Sequence, residues 1–248
     1  LLFATVVLLA VLRPRWRGHS PAAWRTVIAF GVALGAMNFT FYGSLAHLPI
    51  GVAVTIEFIG PLLLAASLSR RLLDLVAVVG AGLGVVLISR ALDTPLADLE
   101  WTGIGLALAA GGCWAAYILL SGRTGASFPK LDGLAFAMVT ASLITLPFGL
   151  GSIPDWTPRL VVKGVGIAVL SSLLPYSLEL LALRRMSARV FGIMLSLEPA
   201  CAALAGLLVL GQRLSTSQLL GMVLVVAASV LVMSGGSASP DPAEAAAT

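Results

Sequence analysis

Three carboxylates, Glu57, Glu179 and Glu198, sit within runs of apolar residues. A charge at the centre of a membrane helix costs roughly 2.5–3.5 kcal/mol on insertion scales, so such a residue normally faces a partner or a wet cavity. Two of the three stand beside a helix breaker. In Ile56-Glu57-Phe58-Ile59-Gly60-Pro61 the proline removes a backbone donor and crowds the carbonyl of Glu57, four residues earlier. The spacing predicts a kink at the carboxylate. In Glu198-Pro199 the proline biases Glu198 itself away from α geometry, exposing backbone polar groups near the charge. Acidic groups on broken helices resemble the midplane site of a secondary transporter. Glu57 and Glu198 are therefore candidates both for binding a substrate and for exchanging protons. Glu179, nearer a helix end, is a third proton-coupling candidate. The plainer reading makes each of them a neutral, hydrogen-bonded packing residue.

Asn38 and Tyr42 are four apart, and Trp114 and Tyr117 three apart, so each pair shares one face of a helix. Both pairs suit the lining of a polar cavity, with interhelical packing as the alternative. Tyr176 stands next to Pro175, a third kink candidate after Pro61 and Pro199, and joins the substrate-binding candidates. Gly31-xxx-Gly35 and Gly80-xxx-Gly84 permit close helix approach. Gly80-Ala81-Gly82 lacks the following Lys-Ser/Thr of a phosphate loop. Neither catalysis nor metal binding is expected: the two histidines, His19 and His47, lie in or near loops, and no nucleophile has a paired base. No cofactor is called for. Cys113 and Cys201 show no CxxC spacing and are read as small packing residues.

The elements that must position these residues follow from composition. Of 248 residues, 59% are hydrophobic and 10% charged, and the mean hydropathy is +1.04. Ordinary soluble domains carry roughly 25% charged residues, too many to be matched here, so the bilayer is the solvent. Apolar runs at about 23–46, 50–69, 75–89, 101–120, 131–150, 160–183, 190–210 and 216–233 are expected to be helices that cross it. The first run, Leu1 to Leu12, would span only about 18 Å as a helix. It is expected to be the remainder of a longer helix, with upstream sequence missing, which gives about nine helices of an even ten.

A formal charge of +4 does not indicate nucleic acid, because the basic residues lie in short loops. Alternate loops hold eleven Lys and Arg on one side, including Arg13, Arg70, Lys130 and Arg184, against four on the other. The richer side reads as cytoplasmic. The tail 234–248 then lies inside and is expected to be disordered. A weak repeat relates Glu57 and Pro61 to Glu198 and Pro199, with the prolines 138 apart, and 75–87 to 219–231 at an offset of 144. Two repeats, 1–90 and 101–233, are expected. Five helices in each would invert one repeat relative to the other.

These residues carry a resemblance. Asn38-Phe39-Thr40-Phe41-Tyr42, the stretch from Pro49 to Pro61, Cys113-Trp114-Ala115-Ala116-Tyr117, Leu174 to Glu179 and Ser196-Leu197-Glu198-Pro199-Ala200 resemble the EamA-type drug/metabolite transporters, most closely the bacterial threonine/homoserine exporters. The likeness covers nearly the whole chain. It implies an all-α membrane protein of two inverted five-helix bundles, here without the first helix, in a bacterial inner membrane with its C-terminus in the cytoplasm. It also implies export of small amino acids driven by protons, with membrane lipid as surroundings. Another polar metabolite or a drug on the same fold remains the alternative, and a homodimer is left open. The chain departs from the pattern at Gly211-Gln212-Arg213, where such transporters often carry a glutamate.

Overall fold

With no water in the hydrocarbon layer, an apolar run must satisfy its N–H and C=O groups internally, and a helix does so. The computed structural model of the chain, which describes residues 1–151 and 157–234, is helical at each such run. The helices are α1 (Leu2–Leu12), α2 (Pro21–Ser44), α3 (Ile50–Glu57), α4 (Ile59–Leu68), α5 (Leu72–Ser89), α6 (Trp101–Ser127), α7 (Asp132–Gly149), α8 (Pro158–Ala168), α9 (Leu174–Leu183), α10 (Ala188–Met194), α11 (Leu197–Leu210) and α12 (Thr216–Ser234). Among the described residues there is no strand. Three pairs, α3 with α4, α8 with α9 and α10 with α11, form single broken spans, so among the described residues eight stretches are long and apolar enough to cross a membrane, with α1 shorter. This is the all-α membrane architecture of about nine helices. The expected tail lies outside the described residues from 235 onward.

Local sequence sets the ends. Pro21 opens α2, where its missing N–H costs no bond, and the Ser20 hydroxyl accepts from the N–H of Ala23 at 3.1 Å. Gly211 closes α11 at a φ of 65°, in the left-handed region that glycine enters without strain. Helix α6 runs to Ser127, past the Leu120 at which its apolar run stops. Its last turns are kept by packing, since Ser121 and Thr124 are fully buried.

The chain divides into two compact units. The first comprises Leu1–Phe39 and Ala116–Arg185. In it α1 packs on α7, where the Thr5 hydroxyl donates to the Met138 carbonyl at 3.1 Å and lies 2.8 Å from the Ser142 hydroxyl. Gly31 and Gly35 put the α2 backbone against α7: a Cβ on Gly31 would fall 2.4 Å from the Ala137 carbonyl oxygen. The second unit comprises Thr40–Ala115 and, among the described residues, Met186–Ser234. There α5 crosses α12 at Gly84, Gly221 and Val225. A core of Leu62, Ala65, Ala77, Ala81, Val190, Ile193, Ala228 and Val232 fills the space among α4, α5, α10 and α12.

Candidate functional site

In the second unit the helical run is interrupted directly after Glu57. Helix α3 ends at Glu57 and α4 starts at Ile59, with Phe58 between them and its N–H on the Val54 carbonyl at 3.0 Å. Pro61 is the third residue of α4, where the N–H it lacks would have had no intrahelical partner. The Glu57 carbonyl faces α6 instead. A Cβ on Gly111 would fall 2.6 Å from it, and a Cβ on Gly60 1.9 Å from the Gly111 carbonyl oxygen. Only glycine at both positions lets the two backbones meet. The Glu57 side chain is 7% exposed, and the Phe58 ring packs edge-on against Trp114 at a centroid distance of 4.9 Å.

The second break differs from expectation in its position. Glu198 is helical, and the interruption falls at Leu195 and Ser196, where the N–H groups of Ser196 and Glu198 reach back three residues to Ile193 and Leu195 at 3.1 and 2.9 Å. The reason is that Pro199, like Pro61, is the third residue of its helix. Its bias on the preceding residue is absorbed in a first turn that needs no backbone bond there. The breaks are neighbours, since Gly192 of α10 sits on the Pro61 carbonyl. Glu57 and Glu198 lie within electrostatic reach of each other, Glu57 buried and Glu198 exposed in the first turn of α11. The two carboxylates share a pair of broken helices, with Glu57 the less exposed of the two.

In the first unit four candidates form one cluster. Asn38 donates to the Leu34 carbonyl at 2.9 Å and to the Tyr176 hydroxyl at 3.1 Å. Tyr117, fully buried, donates to a Glu179 carboxylate oxygen at 2.8 Å, and its ring lies between those of Phe30 and Tyr176 at 5.3 and 5.8 Å. A π-helical turn over Val169–Leu173 lies directly before α9, whose second residue is Pro175. Such a turn holds an extra residue and re-aims the side chains after it.

The structure does not bring every candidate together. Tyr42 is 64% exposed, although it shares a helix with Asn38. Trp114 and Tyr117 take different neighbours, Phe58 in the second unit and Glu179 in the first. Cys201 is exposed and Cys113 half-buried, so the reading of both cysteines as packing residues does not hold for Cys201, whose helix turns that face outward. A groove along α12, lined by Met222, Val226 and Val230 among others, is apolar and holds none of the candidates. Sequence reasoning missed the buried ion pair of Asp74 with Arg189, which joins α5 to α10. The available signal was an aspartate opening an apolar run beside an arginine-rich loop.

The EamA-like transporter family matches residues 101–234. The threonine/homoserine exporter RhtA of Escherichia coli (strain K12) is 42% identical over 233 residues, covering 93% of this chain and 78% of that protein. Its counterpart in Salmonella typhimurium (strain SL1344) is 40% identical over the same coverage. Protein PecM of Dickeya dadantii is 27% identical over 84% of this chain and 73% of its own. A crystal structure of a protein 17% identical superposes with a TM-score of 0.73 over 93% of this chain and 82% of that one, which shows a shared fold. With its membrane-spanning helices and these relatives, the chain belongs to the EamA-like transporter family, as a multi-pass membrane transporter of small molecules and not an enzyme.

Proposed function

We propose that the chain exports a small amino acid of the threonine or homoserine kind across a bacterial inner membrane by proton-coupled alternating access. The observation that carries this is the pair Glu57 and Glu198 on neighbouring helix breaks within one unit. The identity to proteins named threonine/homoserine exporters gives the substrate class. Each carboxylate holds either a proton or the substrate ammonium, and exchange of one for the other couples the two fluxes. Asn38, Tyr117 and Tyr176 supply neutral groups suited to a hydroxyl or carboxylate, Tyr42 and Trp114 add aromatic surface, and Glu179 is a further proton station.

The packing of α5 on α12, which correspond at the offset of 144, supports two repeats in inverted arrangement. The excess of Lys and Arg on one side supports a cytoplasmic end for α12. Lipid surrounds the spans, and a homodimer is compatible with the apolar groove on α12.

Counterflow of labelled amino acids in proteoliposomes tests this reading. Threonine or homoserine is expected to exchange, and Glu57→Gln is expected to abolish the response to a proton gradient. Transport by Glu57→Gln with unchanged proton dependence would remove Glu57 from the mechanism, and flux confined to unrelated solutes would overturn the substrate class.

A further inference from the structure

Serine and threonine in membrane helices ordinarily return their hydroxyl to a carbonyl three or four residues back. Thr26, Thr140, Thr145, Ser171, Ser177 and Ser229 all do so. Ser121 and Thr124 do not. Both are fully buried, and neither hydroxyl has a hydrogen-bond partner among the described residues. Ser121 lies close to the Tyr117 hydroxyl, which is committed as a donor to Glu179. The methyl group of Thr124 is held against Gly133 of α7, where a Cβ would meet it at 2.3 Å. A third buried polar atom without a partner, Nε of Arg184, is at the same end of α6, beside Gly125.

These groups fall on one line. Residues 117, 121 and 124 recur at helical spacing, so the Tyr117, Ser121 and Thr124 hydroxyls share a face of α6. At one end Tyr117 is bonded to Glu179 of α9. At the other, Arg184 just past α9 donates to the carbonyls of Phe128 and Lys130. Tyr117 and Thr124 are roughly 10 Å apart along the axis, a gap that about three hydrogen bonds of ordinary length bridge. Buried hydroxyls without protein partners are the usual hosts of internal water, which needs several polar neighbours.

We propose that Ser121 and Thr124 hold a short file of internal water that carries protons between Glu179 and the end of α6 marked by Arg184. The water sites stand on geometry alone; the use of the file for coupling rests on the proton-coupled reading. The titratable and charged groups around it are Tyr117 from α6, Tyr176 and Glu179 from α9, and Arg184 at the mouth. Beyond the mouth lie Arg123, Lys130 and Arg185, exposed, and Asp132 of α7, which accepts from the backbone N–H of Arg15. Burial lowers the pKa of Arg184, yet a guanidinium keeps its charge at neutral pH. It therefore orders water at the mouth and does not itself exchange the proton.

Radiolytic hydroxyl-radical footprinting of the purified chain in nanodiscs tests the file, because radicals generated from bound water modify the side chains beside it. Tyr117 is expected to be oxidised although it is fully buried, with exposed Tyr42 as an internal reference. The Ser121→Ala/Thr124→Val double variant is expected to lose labelling at Tyr117, while Thr124→Ser, which keeps the hydroxyl, retains it. An unlabelled Tyr117 in the unsubstituted chain, or equal labelling in the double variant, overturns this inference and leaves the proposed function standing. Labelling of Tyr117 in a protein whose flux ignores a proton gradient overturns proton conduction along the file, and with it the coupled reading.

Discussion

Tyr117 shows how much one side chain does in the first unit. Its ring fills the space between Phe30 and Tyr176, and its hydroxyl gives Glu179 a donor at 2.8 Å. Tyr117→Phe keeps the packing and removes the donor. Hydrogen bonds to charged groups are worth about 1.5–3 kcal/mol, so the variant is expected to unfold at lower temperature in a detergent thermal-shift assay. A Tyr117→Phe variant as stable as the unsubstituted chain would show that the bond carries no net stabilisation. The polar character of Asn38, Tyr117, Tyr176 and Glu179 was legible in the sequence. Their pairing was not: Asn38 meets Tyr176, 138 residues away, and Tyr42, which shares its helix, is exposed.

At the scale of elements, the breaks at Phe58 and at Leu195–Ser196 each precede a helix with proline as its third residue, and close glycine contacts lie beside them. A Cβ at Gly60 would fall 1.9 Å from the Gly111 carbonyl oxygen, and backbone cannot rotate away as a side chain can. Gly60→Ala is therefore expected to destabilise the chain by about 1–3 kcal/mol, the range for overpacking. Gly112→Ala meets nothing within 4 Å and serves as the control, expected to leave the melting temperature unchanged or slightly raised. Equal melting temperatures for the two variants would contradict the close crossing. Pro61 announces its break in the sequence, because its effect is confined to four residues along one helix. The Gly60–Gly111 contact depends on which faces of α4 and α6 meet, and no local pattern states that.

At the scale of the molecule, polar links tie segments far apart in sequence. Arg189 and Asp74, the latter 4% exposed, join α10 to α5 across 115 residues. Removing one partner of a buried pair leaves an uncompensated charge, at a cost of about 3–5 kcal/mol. Asp74→Ala is expected to show that loss in thermal unfolding. The double variant Asp74→Ala/Arg189→Met is expected to recover part of it, because the stranded charge is gone. Additive losses would show that the two residues act independently.

The sequence by itself determined the membrane setting, the number of apolar spans, the helix interruption beside Glu57 and the acidic residues worth testing. Hydropathy and proline act through neighbours along the chain, so a linear reading captures them. Tertiary structure alone decided that Glu57 is buried and Glu198 exposed, that Tyr117 bonds to Glu179, that Ser121 and Thr124 are sealed without partners, and that Asp74 finds Arg189. In a soluble protein the apolar face of a helix points to the core and so reports its rotation. In lipid both faces are apolar, so rotation and register are set by small-residue packing and individual polar contacts, which appear only when the helices are assembled.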